Sequence, residues 1–313
     1  MLYSRPQSKD LTMKRLVVLL LFLSTIAYAA QQIQHTSIGG RDVAVWKPAG
    51  VAPDSGYPLI VFSHGFGGCN TQSIFLMDAL AQAGYLVLAP NHKDARCGSA
   101  SQGQQGRNPG KLLQERKGRR PQQPFGKAEE WSDQTYKDRE DDIAAVLNAA
   151  LRQKSFLDVA IDANRVGIAG HSLGGYTALG VAGAWQSWKD PRIKAVLALS
   201  PFCTPYIAHG DLPHLNVPVM YQGGTRDLGI TPTVKRLNGA YELSSAPKYY
   251  VEFDGAGHFA WTNLNKKYQS IIGTYSLAFF NHYLKSTLVP DSLAPLIGNP
   301  PPKGVSFLRV NVK

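Results

Sequence analysis

Arg165-Val166-Gly167-Ile168-Ala169-Gly170-His171-Ser172-Leu173-Gly174-Gly175-Tyr176 reads as a short apolar strand, Val166 to Ala169, running into Gly-x-Ser-x-Gly and then into a helix of small residues. A serine on so sharp a strand-to-helix turn stands with its hydroxyl exposed above the sheet edge. The glycines suit a strained turn whose neighbours pass too close to admit a Cβ. The helix that starts after Ser172 brings backbone N–H groups and a partial positive charge to the same point. A glycine-rich turn holding a chance serine fits the same five residues, so the context has to decide.

Outside that stretch, 44% hydrophobic and 18% charged residues describe an ordinary globular chain with a full core. At 313 residues it suits one large α/β domain or two smaller ones. Residues 1–29 read as a secretory signal peptide: a basic Met13-Lys14-Arg15, an apolar Leu16 to Ile26, and Ala27-Tyr28-Ala29 in small-x-small form. The apolar run is too short to span a bilayer, and no cysteine at the cleavage site offers a lipid anchor. Residues 1–12 precede a better start at Met13. The reading is an exported protein, periplasmic or secreted, with one domain over residues 30–313.

The net charge is +11, and removing residues 1–29 takes away four basic residues and one acidic one, leaving 29 basic against 21 acidic, or +8. Most of that surplus is local. Between Arg96 and Lys127 stand eight basic residues and a single acidic one, Glu115. Residues 91–130 are also rich in Gly, Gln and Pro, a composition that reads as a flexible basic insertion. Such a run is usually a solvated loop, and its charge would alternatively serve contact with an anionic membrane surface or an anionic substrate. Nucleic acid is excluded as a partner, because no aromatics interleave the patch and the chain is exported. Three cysteines in an exported chain suggest one disulfide. Cys69 and Cys97 each follow an apolar strand and are expected to pair, with Cys203 free.

Along the chain, Gln34 to Ile38 and Asp42 to Trp46 form a hairpin about Gly39-Gly40. Leu59 to Phe62, Tyr85 to Ala89, Ile193 to Leu199, Val217 to Tyr221 and Tyr249 to Phe253 are apolar runs typical of strands buried on both faces. Helical patterns separate them, from about Asn70, from Trp131, from Thr231 to about Leu243, and from Ile271 to Leu284. The Pro-rich remainder reads as a loose tail. Strands alternating with helices predict a mostly parallel central sheet of about eight strands with helices on both faces. Ligands of such sheets bind beyond the C-terminal strand ends, where His64, Ser172, Asp227 and His258 all fall.

Ser172 needs a base, and His258, on a Gly-x-Gly-His turn after the last strand, is the best placed. Asp227, after the preceding strand, would orient that imidazole and stabilise its charged form. Asp254 competes for the role but would have to fold back on its own turn. An oxyanion hole of this kind pairs the N–H after the nucleophile with one from the first strand's loop, here Leu173 and Phe66. His64 is expected to brace that loop. His209 and His214 lack ligand spacing and acidic company, so no metal site is expected, and no phosphate-cradling or dinucleotide motif follows any strand.

With Val61-Phe62-Ser63-His64-Gly65-Phe66-Gly67-Gly68, Gly170-His171-Ser172-Leu173-Gly174-Gly175 and Asp254-Gly255-Ala256-Gly257-His258-Phe259 in view, the chain resembles the α/β-hydrolase superfamily. Within it, the chain is similar to dienelactone-hydrolase-like and platelet-activating-factor-acetylhydrolase-like esterases. From Gly223 through Ile272-Gly273 it also resembles bacterial cutinases and polyester hydrolases. Together the resemblance covers about residues 34–285. It implies the α/β-hydrolase fold, the triad Ser172, Asp227 and His258 with backbone donors at Phe66 and Leu173, and cleavage of carboxylic esters through an acyl-enzyme. It also implies Phe66 and Phe202 as walls of the acyl pocket, a small-molecule or lipid ester as substrate, no cofactor, and a monomer. The 91–130 insertion is longer than in cutinases, and the cysteines do not match their usual C-terminal disulfide. Dienelactone hydrolases proper use a cysteine where this chain has Ser172. Two other readings stand beside the esterase: a serine peptidase of the same fold, although its propeller-like partner domain is missing, and a binding protein on a hydrolase scaffold.

Overall fold

The computed structural model describes residues 33–96, 121–152, 155–285 and 302–312. Residues 1–29, expected to be a signal peptide, Cys97 with its expected bond to Cys69, and most of the basic insertion lie outside the described residues. The described residues build a mixed sheet with helices on both faces.

The strands are β1 (Gln34–Ile38), β2 (Arg41–Trp46), β3 (Tyr57–Ser63), β4 (Leu86–Pro90), β5 (Ser155–Phe156), β6 (Val159–His171), β7 (Ile193–Leu199), β8 (Val219–Gly224), β9 (Lys248–Phe253) and β10 (Val305–Asn311). Nine of them lie in the order β1-β2-β4-β3-β6-β7-β8-β9-β10, one more than the eight expected, and the two-residue β5 pairs with β6 off that path. Pairing is parallel from β4 through β3, β6, β7 and β8 to β9, and antiparallel at both margins.

Successive side chains of a strand point to opposite faces, and each apolar run is divided accordingly. On β3, Leu59 and Val61 join the core beneath the helices Lys137–Leu151 and Leu173–Leu179, whereas Ile60 and Phe62 join the one beneath Ile74–Gln82 and Gln269–Lys285. Leu86 and Leu88 oppose Val87 and Ala89 on β4 in the same way. This two-sided burial is why these strands read as continuous apolar runs instead of alternating ones. Among the described residues no helix is long and apolar enough to cross a membrane.

Three expectations need correction. The C-terminal remainder is not wholly a loose tail: Val305–Asn311 is the edge strand β10, hydrogen-bonded to β9. Its alternating half-exposed pattern after a proline-rich lead gives little sequence signal. Nor is the last part of the 91–130 insertion the flexible segment expected. Phe125–Glu130 forms a 3-10 turn, Ala128 is buried, and Trp131 behind it is fully buried. The Thr231 region is two short helices, Thr231–Lys235 and Ala240–Leu243, with Asn238 at φ 56° between them.

β3 and the helix Leu173–Leu179 approach each other at Gly174, where an added Cβ would stand 1.9 Å from the Ser63 carbonyl oxygen. One on Gly170 would stand 2.0 Å from the Gly174 carbonyl oxygen. Backbone atoms on both sides cannot move aside cheaply. Gly174→Ala is therefore expected to cost about 3 kcal/mol of stability, read as a lower urea midpoint at unchanged slope.

Candidate active site

β6 ends at His171, and Ser172 takes φ 57° and ψ −117° at the head of the next helix. Such a backbone costs a non-glycine residue about 1–3 kcal/mol and persists only where its surroundings over-determine it. Here they do. The Ser172 N–H donates to the Leu199 carbonyl at 3.0 Å, and its own carbonyl accepts from Phe202 N–H at 3.0 Å and Tyr176 N–H at 3.2 Å.

The turn lifts Ser172 Oγ to 3.0 Å from His258 Nε2, while His258 Nδ1 faces Asp227 Oδ1 at 3.3 Å. Asp227 is buried, and its backbone carbonyl caps the turn into Thr231. The competing Asp254 is exposed and meets Thr225 Oγ1 instead, at 3.5 Å. A residue that the sequence reading passed over, Ser200, completes the group. Its hydroxyl donates to Asp227 Oδ2 and lies 2.9 Å from His258 Nδ1. Its position at the end of β7, on the edge that carries the other candidates, was the available signal. It too has a positive φ, 43°.

His258 is held from behind. Gly65 N–H donates to Gln72 Oε1 at 3.0 Å, which turns the Gln72 amide nitrogen toward His171 Nδ1, also at 3.0 Å. An acceptor at Nδ1 leaves the His171 proton on Nε2, which donates to the His258 carbonyl at 2.8 Å. Burial, and then the nearby His258 charge, push the His171 pKa down to about 3, so the ring stays neutral.

The loop after β3 is fixed from the interior. The Gly65 carbonyl accepts from His64 Nδ1 at 2.8 Å, from Gly68 N–H at 2.9 Å and from Arg139 Nη2 at 3.4 Å. Because the peptide bond is planar and trans, the Phe66 N–H of the same plane points the opposite way, away from buried Arg139. The Leu173 N–H begins a helix and has no intrahelical acceptor. Arg139 also bonds the His64 carbonyl at 2.8 Å and both carboxylate oxygens of Asp94, at 2.9 and 2.8 Å, and Asp94 in turn accepts from Gly67 N–H at 3.0 Å.

A second array of the same residue types lies beneath this loop. Ser63 Oγ is 2.8 Å from His92 Nε2, and His92 Nδ1 is 2.9 Å from Asp142 Oδ2. Ser63 and His92 are buried and do not line the cleft beside Ser172, and the array is closed by Arg41 on Asp142 and Arg139 near Ser63. Burial, aided by the Arg139 charge, holds both His64 and His92 well below the usual imidazole range. Burial alone would raise the Asp94 carboxyl, but Arg139 outweighs it and holds that carboxyl below the usual carboxylate range.

Ser172 and His258 open on a cleft of about 960 Å³. Phe66, Phe125, Phe202, Ile230, Phe259 and Leu264 line it, and the Arg96 guanidinium lies 5.6 Å from the Phe66 ring. Among the described residues no cluster of His, Cys, Asp and Glu is suited to a metal ion. His209 Nε2 instead bonds the Trp131 carbonyl at 2.7 Å. Cys203 is a free, buried thiol whose pKa burial raises to about 11.

A family model described as PET hydrolase-like matches residues 129–289, just over half of the chain. Cutinase 1 of Thermobifida cellulosilytica is 34% identical over 154 residues, 47% of this chain and 53% of that protein. A cutinase of Thermobifida fusca is 34% identical over 154 residues, 47% and 46% of the two chains, and cutinase est2 of Thermobifida alba 32% over 154 residues, 47% of each. The chain thus matches about half the length of these curated relatives.

The buried histidines dictate a pH dependence. His64, His92 and His171 stay neutral when folded but take up a proton below about pH 6.5 when unfolded. The unfolded state binds more protons there, so stability falls as the pH falls, by about 1.4 kcal/mol per pH unit for each histidine. Urea titrations between pH 7 and 5 are expected to show that loss. Asp94 runs by the same sign: its depressed carboxyl contributes stability above about pH 4 that is lost on further acidification. Arg139→Met, which strips Asp94 of its partner, should cost about 3–5 kcal/mol at pH 7. The difference from the parent protein should narrow at pH 3.5.

Proposed function

The chain belongs to the PET hydrolase-like family, and on that membership together with the geometry of the cleft we propose that it is an exported serine hydrolase cleaving carboxylic esters through an acyl-enzyme. The observation that carries the proposal is the 3.0 Å contact between Ser172 Oγ and His258 Nε2 in an apolar cleft. Ser172 attacks the ester carbonyl as His258 Nε2 takes its proton. Asp227 and Ser200 hold the opposite ring nitrogen and stabilise the imidazolium. The carbonyl oxygen, now anionic, sits against the N–H groups of Phe66 and Leu173, donors already oriented before the substrate arrives. His258 then returns the proton to the leaving alcohol, and a water activated by the same imidazole releases the acid.

The substrate class is a small-molecule or lipid ester, with Phe66 and Phe202 as walls of the acyl pocket. The relatives' name, cutinase, places cutin-type polyesters among the substrates to test. Export rests on the leader-like residues 1–29, and contact with anionic surfaces on the basic segment that begins at Arg96 on the cleft rim. The pairing of Cys69 with Cys97 is supported by the free state of Cys203. The protein is taken to act as a monomer.

Purified protein is expected to hydrolyse p-nitrophenyl acetate and butyrate and to be labelled by a fluorophosphonate probe. Ser172→Ala should abolish labelling and lower kcat by about 10⁴-fold or more. Turnover retained in that variant, or no labelling of the parent protein, overturns the assignment.

A further inference from the structure

Phe125 belongs to neither wall of the acyl pocket, yet its ring meets both. It lies 5.5 Å from the Phe66 ring and 5.1 Å from the Phe202 ring, in edge-to-face contact with each. Both separations fall in the range that aromatic pairs prefer. Behind it stands Trp131, 5.5 Å away and fully buried, which is itself packed on Phe202 at 4.9 Å and Tyr176 at 5.3 Å. The turn that carries Phe125 is tied to this support, since Trp131 Nε1 donates to the Pro124 carbonyl at 3.2 Å and Lys127 N–H to the same oxygen at 3.1 Å. Three rings and two backbone anchors therefore hold Phe125 in one place. It is a fixed wedge.

The chemistry of the site says which part of an ester meets that wedge. His258 must protonate the leaving alcohol, so the alcohol lies on the side of His258 and its neighbour Phe259. With Phe66 and Phe202 as walls of the acyl pocket, as proposed above, the acyl group extends to the other side, toward those two rings. The two sides differ in openness. The alcohol side is bordered by Phe259 and Leu264, 62% and 82% exposed, while the acyl side holds the packed triplet Phe66, Phe125 and Phe202.

We propose that Phe125 is the specificity-determining residue for the acyl group, filling the gap between the Phe66 and Phe202 rings so that the enzyme takes esters of short aliphatic acids in preference to aromatic acids. The proposal rests on the ester-hydrolase reading given above. An aromatic acyl ring could enter between the walls only by driving Phe125 out of three ring contacts, whereas an acetyl or butyryl chain needs only the space beside it. The wedge lies in the turn Phe125–Glu130, close to the end of the stretch that interrupts the α/β pattern.

The test varies only the acyl group. The ratio of kcat/KM for p-nitrophenyl benzoate to that for p-nitrophenyl acetate is measured for the parent protein, Phe125→Ala and Phe125→Leu. The parent ratio is expected to be below one, and Phe125→Ala to raise it at least about tenfold, within the discrimination that a few methylenes of pocket space confer. Phe125→Leu keeps most of the packing against Trp131 and should raise the ratio about threefold, so it decides the question should Phe125→Ala fail to fold. A ratio unmoved in a folded variant, or a parent protein that prefers benzoate, overturns the role of Phe125 and leaves the ester-hydrolase reading intact. A parent protein inactive on all of these esters and unlabelled by fluorophosphonate removes the ester-hydrolase reading itself, and this proposal with it.

Discussion

The contact between the Gly174 backbone and the Ser63 carbonyl sets the spacing of everything at the sheet edge. With no Cβ at position 174, the helix after Ser172 settles directly on the end of β3. The loop that carries Phe66 and the turn that carries Ser172 are thereby brought side by side. A residue with a side chain there would push apart the two backbone amides proposed to hold the oxyanion. The sharp turn at Ser172 follows from the same constraint, because β6 must reverse into a helix within one residue while keeping its bonds to Leu199 and Phe202.

Around that contact the chain spends its buried charge on orientation. Arg139, from the helix after the insertion, and Asp94, from the start of the insertion, meet beneath the loop after β3 and bond its backbone groups. A guanidinium has five donors in a fixed fork, so one side chain can hold two carbonyls and a carboxylate at once. The described residues thus contain two Ser–His–Asp arrays, at 2.8 and 2.9 Å for Ser63–His92–Asp142 and at 3.0 and 3.3 Å for Ser172–His258–Asp227. What distinguishes them is surroundings: the Ser63 array is closed by Arg139 at the serine and Arg41 at Asp142, whereas Ser172 stands at an apolar cleft with a partly exposed histidine. Residue types and distances alone would not have told the two apart.

Much of this was legible in the sequence where the signal is local. Gly-x-Ser-x-Gly after an apolar strand encodes its own turn, since the backbone conformation is demanded by residues within five positions. The apolar runs at Leu59, Tyr85 and Ile193 announce strands buried on both faces, and from that the parallel sheet follows. The placement of Asp227 and His258 just after strands was readable for the same reason. Ser200 was missed because a serine before a proline at a strand end looks like any turn residue until His258 is seen beside it. Phe125 was missed because glycine, glutamine and proline dominate its segment, and only the buried Trp131 shows that its final turn is packed.

What the sequence determined by itself, then, is the set of elements and the edge at which their polar ends gather, because helix and strand periods and turn chemistry act over a few residues. The tertiary structure alone decided that His92 faces Ser63 in a second array, that Ser200 stands beside both Asp227 and His258, that Arg139 orients a loop 75 residues away in the chain, and that Val305–Asn311 closes the sheet. Those outcomes depend on contacts between residues far apart in the chain. Burial then makes each one consequential, since a polar group withdrawn from water must find its partner wherever the fold has placed it.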